Sequence, residues 1–342
     1  MLGTYVPSRR ATRATLPPPP SPAGLPSSRG RRPRSSRRTV AVSLAARAWS
    51  KVRATMRSAA SSPPSAVLRQ EALDELVRHT DQLTDVIGVL TRNARSLSRF
   101  GRQVFSQSDE DGITLELVRR VFDRPGVVLE LGVGDGIENN SLVLLAAGWR
   151  AVWVGNEDLA LAVDDFPQTI AYEKTWVTRD NVVASALSGL SRLGVSQSEI
   201  AILMVDLDGN DLHITETLLD GGLSPMALVV EYNSYLPPPI SWTMEYDPAH
   251  VWQPPSLHYG ASLQAYVDLL SARGYLLVAC NAQTGNNAFF VHARVADRFT
   301  DVSRDPMDLY VGRAQSVYNT PHNKKRVSRQ FVESVLRSAR RG

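Results

Sequence analysis

Between residues 109 and 292 the hydrophobic positions fall into two kinds of run. Short, nearly continuous apolar stretches predict strands covered on both faces, at 127–131, 151–154, 169–177, 200–205, 227–232, 275–279 and 288–292. Stretches with helical spacing alternate with them, predicting helices at 109–122, 138–147, near Leu159, and at 181–190, 212–219 and 262–272. The alternation of strands and helices implies a doubly wound α/β sheet, here over a domain spanning 105–295. No internal repeat is visible.

Upstream the pattern changes. Val67, Leu68, Leu73, Leu76, Val77, Leu83, Val86, Ile87, Val89 and Leu90 form one apolar stripe, which predicts a long amphipathic helix in a segment 65–104. Its expected role is packing or homodimerisation. Glu71, Asp74, Glu75, Asp81 and Asp85 oppose an anionic membrane surface. Residues 1–64 lack any such stripe and are expected to be disordered. Residues 296–342 form a C-terminal extension, expected to end in a basic helix from Arg326.

Charge changes the picture only once it is divided. Of the 342 residues, 38 are Lys or Arg and 34 Asp or Glu, but the first 65 hold 13 of the bases and no acid. The rest therefore carries 25 bases against 34 acids, so no specific nucleic-acid partner is expected. The acid-free start fits three readings: an organelle transit peptide, a polyanion-binding arm, or translated upstream sequence with the natural start at Met56. A lone cysteine, Cys280, excludes an internal disulfide and a cysteine zinc site. No apolar run approaches the roughly 20 residues that cross a bilayer, and a cytoplasmic protein without a transmembrane segment is expected.

The most informative stretch is VVLELGVGDGIENN, from Val127 to Asn140. A buried strand ends near Glu130, and Gly132, Gly134 and Gly136 precede a helix. Glycines there permit tight positive-φ geometry and close approach of a ligand to the main chain. The spacing is G-x-G-x-G, not the G-x-G-x-x-G of dinucleotide sites, so a nicotinamide enzyme is the weaker reading. The string resembles the first motif of S-adenosylmethionine-dependent methyltransferases. SQSDEDG (106–112), GW (148–149), VDLDGND (205–211), VVEYN (229–233) and YGASL (259–263) together resemble the FkbM-like branch, associated with sugar and polysaccharide O-methylation.

That resemblance covers about 106–292. It implies a Rossmann-like seven-stranded sheet with the last strand antiparallel, and a donor, S-adenosylmethionine, across the carboxyl ends of the first strands. Glu130, Gly132, Gly134, Asp135, Gly136 and Asn140 would surround its methionine end, with Glu130 or Asp135 on the ammonium. The related sequences tend to read W-I-E-G or W-I-D-G after the second strand, whereas this chain has Trp153-Val154-Gly155-Asn156-Glu157. Glu157, or Asp158, would reach the ribose instead, or the donor site is degenerate and the chain is a non-catalytic module binding a glycan or protein. The adenine would fall near Val177–Arg179, with Thr178 at a base edge or capping a helix.

Acids at the ends of the fourth and fifth strands converge on one crevice in such a sheet. Asp206, Asp208 and Glu231 offer hard oxygen ligands for Mg²⁺ or another divalent ion. Asp206, Glu231 or His258 is alternatively the catalytic base toward the hydroxyl of a sugar or glycan acceptor. Asp208 and Asp211 are equally suited to capping the next helix. D-x-D-G-N-D is not an EF-hand loop: its glycine comes too early, and Thr217 stands at the twelfth position. Between Ser234 and Gly260, Trp242, Tyr246, Trp252 and Tyr259 are placed to stack on a sugar or to pack the loop down.

Overall fold

The computed structural model describes residues 93–253, 256–312 and 329–339. The segment 1–64 and most of the expected amphipathic helix lie outside the described residues. Within 93–104 the chain forms a single 3₁₀ turn, Leu97–Phe100, capped by the Ser96 hydroxyl.

Helix α1 (Glu110–Val121) leads into β1 (Val127–Leu131), α2 (Leu142–Ala146), β2 (Arg150–Gly155), β3 (Ile170–Lys174), α3 (Val182–Leu193) and β4 (Ile200–Val205). Then follow α4 (Asp211–Asp220), β5 (Ala227–Glu231), α5 (Leu263–Ser271), β6 (Tyr275–Cys280) and β7 (Asn287–His292). The short α6 (Pro306–Leu309) and α7 (Arg329–Ala339) complete the described chain. The seven strands form one sheet in the order β3-β2-β1-β4-β5-β7-β6. All neighbours pair in parallel except β7, which is antiparallel to both β5 and β6. This is the Rossmann-like α/β fold expected, with its one reversed strand.

The strands are continuous apolar runs because helices cover both faces. Every residue of β1 is buried. Its Val127, Val128, Leu129 and Leu131 each contribute about 1.5–3 kcal/mol by leaving water, which outweighs burying the Glu130 carboxylate among them. Helix α3 turns its apolar stripe, Val182, Ala186, Gly189, Leu190 and Leu193, inward and stops at Gly194, whose φ of 65° forms a left-handed cap. Helix α7 packs on α2 through buried Val332 and Leu336.

Three elements differ from the sequence reading. The helix expected over 138–147 is only Leu142–Ala146, because Asn140 and Ser141 donate their N–H groups to Glu130 instead of opening a helix earlier. The strand expected to reach Val177 ends at Lys174, where the Asn181 amide takes up the Trp176 carbonyl and the Thr178 N–H. The helix expected near Leu159 is a 3₁₀ turn at Val163–Asp165.

Strand order reverses between β1 and β4, the place where open α/β sheets leave a crevice at their carboxyl edge. There Asp206 N–H donates to Leu131 O, joining the β4 loop to the end of β1, and Gly132 N–H donates to Val154 O, joining the β1 loop to β2. Among the described residues, no helix is long and apolar enough to cross a membrane.

Candidate functional site

The glycine turn is built for close contact on one side and space on the other. Gly132 has φ 83°, and a Cβ there would lie 1.5 Å from the Asp206 carbonyl oxygen. Only glycine lets the β1 and β4 loops touch. Gly136, also at φ 83°, seats against Trp153 and Leu159. At Gly134, φ 48°, an added Cβ would meet nothing within 4 Å, so the middle of the turn faces open space.

Glu130 is committed to its own chain. Its Oε1 accepts from Asn140 N–H at 2.9 Å, and its Oε2 from Ser141 N–H at 3.2 Å and from the Ser141 hydroxyl. Trp153 Nε1 donates in turn to that hydroxyl. Burial pushes the Glu130 carboxyl up to about 7, against the opposing pull of these bonds. The acid therefore organises the start of α2. Asp135 is half-buried; its Oδ1 accepts from Ile137 N–H and its main-chain oxygen from Ala160 N–H.

Beyond β2, Glu157 is exposed and its carbonyl accepts from the Tyr172 hydroxyl. Asp158 turns to Lys174. Thr178 lies in the loop before α3, where its N–H donates to Asn181 Oδ1 and its carbonyl accepts from Val182 N–H. Its place is thus the lead-in to a helix, on the rim of the same edge.

The acids at the strand ends do converge. One carboxylate oxygen from each of Asp206, Asp208 and Glu231 lies within 4.8 Å of the others. Burial, then the charges of Asp208, Asp211, Glu130 and Glu110, pushes the Asp206 carboxyl well up. Asp208 stands solvent-exposed at the rim in a left-handed conformation, φ 54°, uncommon outside glycine. Surrounding protein still raises its carboxyl, while His250 pulls it down. The kink is held by Asp211, which accepts from Leu207 N–H at 2.6 Å and Gly209 N–H at 2.8 Å. Asp211 sits near 6 because burial outweighs these bonds. It is a loop staple, then, while Asp208 does not cap α4 and projects toward the crevice mouth.

The SQSDEDG block leading into α1 has a structural task. Glu110 accepts from Ser108 Oγ at 2.7 Å and Asn281 Nδ2 at 3.0 Å, and Asp109 accepts from Ala282 and Gln283 N–H. These bonds tie the start of α1 to the β6–β7 turn. Asp111 gathers the N–H groups of Val104, Phe105 and Ser106, with burial raising it to about 6.

His258 is exposed, its ring edge-on to Trp242 at 5.6 Å. The histidine beside the acids is instead His250. Its Cδ2 and Nε2 would be 2.3 and 2.8 Å from a Cβ on Gly209, and that Nε2 is buried without a hydrogen bond among the described residues. Its signal was the absent side chain at Gly209, legible only once the two loops are seen to touch. Tyr266 was also missed: its fully buried hydroxyl lies beside Thr215 and close enough to Asp211, Glu231 and Asp206 to be pushed well up, chiefly by burial.

A shallow depression of about 600 Å³ lined by Ser196, Gln197, Gly222, Ser224 and Arg294 sits at the opposite, amino-end edge of the sheet. It takes no part in this crevice.

No family model matches the chain, and no curated protein matches it. A solved structure from Nostoc punctiforme PCC 73102, described as that of a candidate O-methyltransferase, aligns with 72% of this chain and 69% of its own. The identity is 12% and the TM-score 0.28. A likeness this distant says nothing of activity, and the fold rests on the strand order itself.

Proposed function

We propose that the chain is an S-adenosylmethionine-dependent O-methyltransferase acting on a sugar hydroxyl of a glycan or glycosylated metabolite. One observation carries the reading: at the switch point of the sheet, the glycine turn with its open centre is in main-chain contact with an acid triad. A donor pocket and an acceptor-activating group have to be neighbours for methyl transfer.

The residues fit the donor in part. Gly134 leaves the room, Asp135 is the remaining acid for its ammonium, Glu157 stands after β2 for the ribose, and Thr178 lies at the adenine rim. Bound there, the donor supplies an electrophilic methyl group. Asp206, Asp208 and Glu231 would hold a divalent cation that orients two vicinal hydroxyls, or one of them would take the acceptor proton directly. Burial and the neighbouring carboxylates raise the Asp206 carboxyl, so once ionised it is a stronger base toward an acceptor hydroxyl. Trp242 and Trp252 on the loop above, with Glu245 and Asp247 as its only charged side chains apart from two histidines, suit a neutral sugar.

The commitment of Glu130 to α2 favours a second reading, a glycan-binding module without turnover. Incubating the full chain with methyl-labelled donor and a glycan extract separates the two. Label in an oligosaccharide fraction, lost in Asp206→Asn, supports the enzyme; glycan retention with no label transferred refutes it.

A further inference from the structure

The segment from Ser234 to Gln253 lies across the carboxyl ends of β3 and β4 as a flap, and side chains hold it there. Trp176 Nε1 donates to Pro248 O at 2.7 Å. Asn210 Nδ2 donates to Asp247 O at 2.7 Å, and Asp247 N–H returns to Asn210 Oδ1 at 3.2 Å. Arg179 N–H donates to the Tyr246 hydroxyl at 2.9 Å, and the Arg179 guanidinium lies 4.6 Å from the centre of that ring.

His213, on α4, joins both halves of this fastening. Its Nδ1 is 2.9 Å from Arg179 Nη2, and its Nε2 is 2.8 Å from the Met244 carbonyl. A guanidinium only donates and a carbonyl only accepts, so Nδ1 must be bare and Nε2 must carry the proton. The neutral ring satisfies both partners. A protonated ring turns an N–H toward the guanidinium, which loses that bond and sets two cations in contact.

We infer that His213 is a pH-sensitive latch: neutral, it clamps the flap over the acid-lined crevice, and protonation releases it. The role of the latch in gating acceptor entry rests on the function proposed above; the latch itself does not. The surrounding charges set the sign. Glu216, on the same helix, is 3.8 Å from Arg179 but is shared with Arg273 at 3.3 Å. From the flap, the Tyr246 ring meets His213 edge-on at 5.7 Å. Of the acids beside Tyr246 in the chain, Glu245 is exposed and Asp247 spends its Oδ1 on Ala249 N–H. Asp180, next to Arg179, is exposed. His250, farther along the flap, lies beside Asp208 and away from His213's two partners.

Hydrogen exchange of the full chain, without donor or acceptor, tests this. Amides of 244–250 are followed at about pH 7.5 and about pH 5.5, normalised to intrinsic rates, the range in which histidine changes charge. Exchange there should rise about tenfold at the lower pH, while β1 and β4 amides stay protected. His213→Gln, whose amide can accept from Arg179 and donate to Met244 without titrating, should abolish the rise. Arg179→Met, which removes the opposing cation, should shrink it and serves if the first variant does not fold. An unchanged wild-type flap, or a variant that responds like the wild type, overturns the latch. Failure to bind donor would instead count against the function and leave this result standing.

Discussion

Glu130 lends itself to a measurement that isolates one buried group. In the folded chain its carboxyl is held at about 7 rather than the ordinary 4.5, with burial as the largest cause. Below about pH 4.5 both folded and unfolded chains keep the proton and the group costs nothing by ionising. Between there and about 7 the unfolded chain releases its proton and the folded chain does not. The folded state then binds more protons, so stability falls as pH rises, and above about 7 the loss is complete. Each tenfold difference in proton affinity between the two states is worth about 1.4 kcal/mol, so the full swing is roughly 3 kcal/mol. Glu130→Gln keeps the shape and one acceptor while removing the titration. Urea unfolding of both proteins from about pH 4 to about pH 8 gives the quantity needed, the wild-type stability minus that of the variant. This difference should fall by roughly 3 kcal/mol across the range, whatever Asp111, Asp211 and the histidines contribute to both curves. A difference that stays flat, or that grows in favour of the wild type, would refute the picture of an acid buried against its charge.

The two glycines of the turn should separate fold from binding. Gly132→Ala drives a methyl group into the Asp206 carbonyl and should cost at least about 3 kcal/mol in thermal or urea unfolding. Gly134→Ala meets no atom within 4 Å and should cost only about 1 kcal/mol while filling the space proposed for the donor, so it should fold and fail to take up S-adenosylmethionine in a titration. A divalent cation should raise the melting temperature more at about pH 8 than at about pH 5, because the triad binds it ionised; at a hundredfold excess over Kd the gain is about 2.7 kcal/mol. Asp206→Asn should be more stable than wild type without cation at about pH 8 and should lose the cation response, which differential scanning calorimetry reads directly.

What the amino-acid pattern revealed, and what it concealed, follows from the range of the interactions involved. Strands such as Val127–Leu131 and Ile200–Val205 are legible because burial on both faces leaves unbroken apolar runs, and the order of these runs implies the sheet. The meeting of Asp206, Asp208 and Glu231 was legible too, since the ends of adjacent parallel strands share an edge. Side chains that reach across loops were not. Glu130 bonds to main chain ten and eleven residues away, which shortens α2. His250 comes to the acids from an irregular loop whose path no periodicity encodes. His258, the histidine expected as an alternative base, rests on Trp242 at the surface.

The hollow over Gly134 is where we propose that a sulfonium nucleoside binds. Isothermal titration of the full chain with S-adenosylmethionine measures this without knowledge of the acceptor. Saturable heat with a Kd below about 1 mM is expected, abolished in Gly134→Ala. A folded wild-type chain that shows no heat at that concentration, or a Gly134→Ala variant that binds as tightly as the wild type, would contradict it.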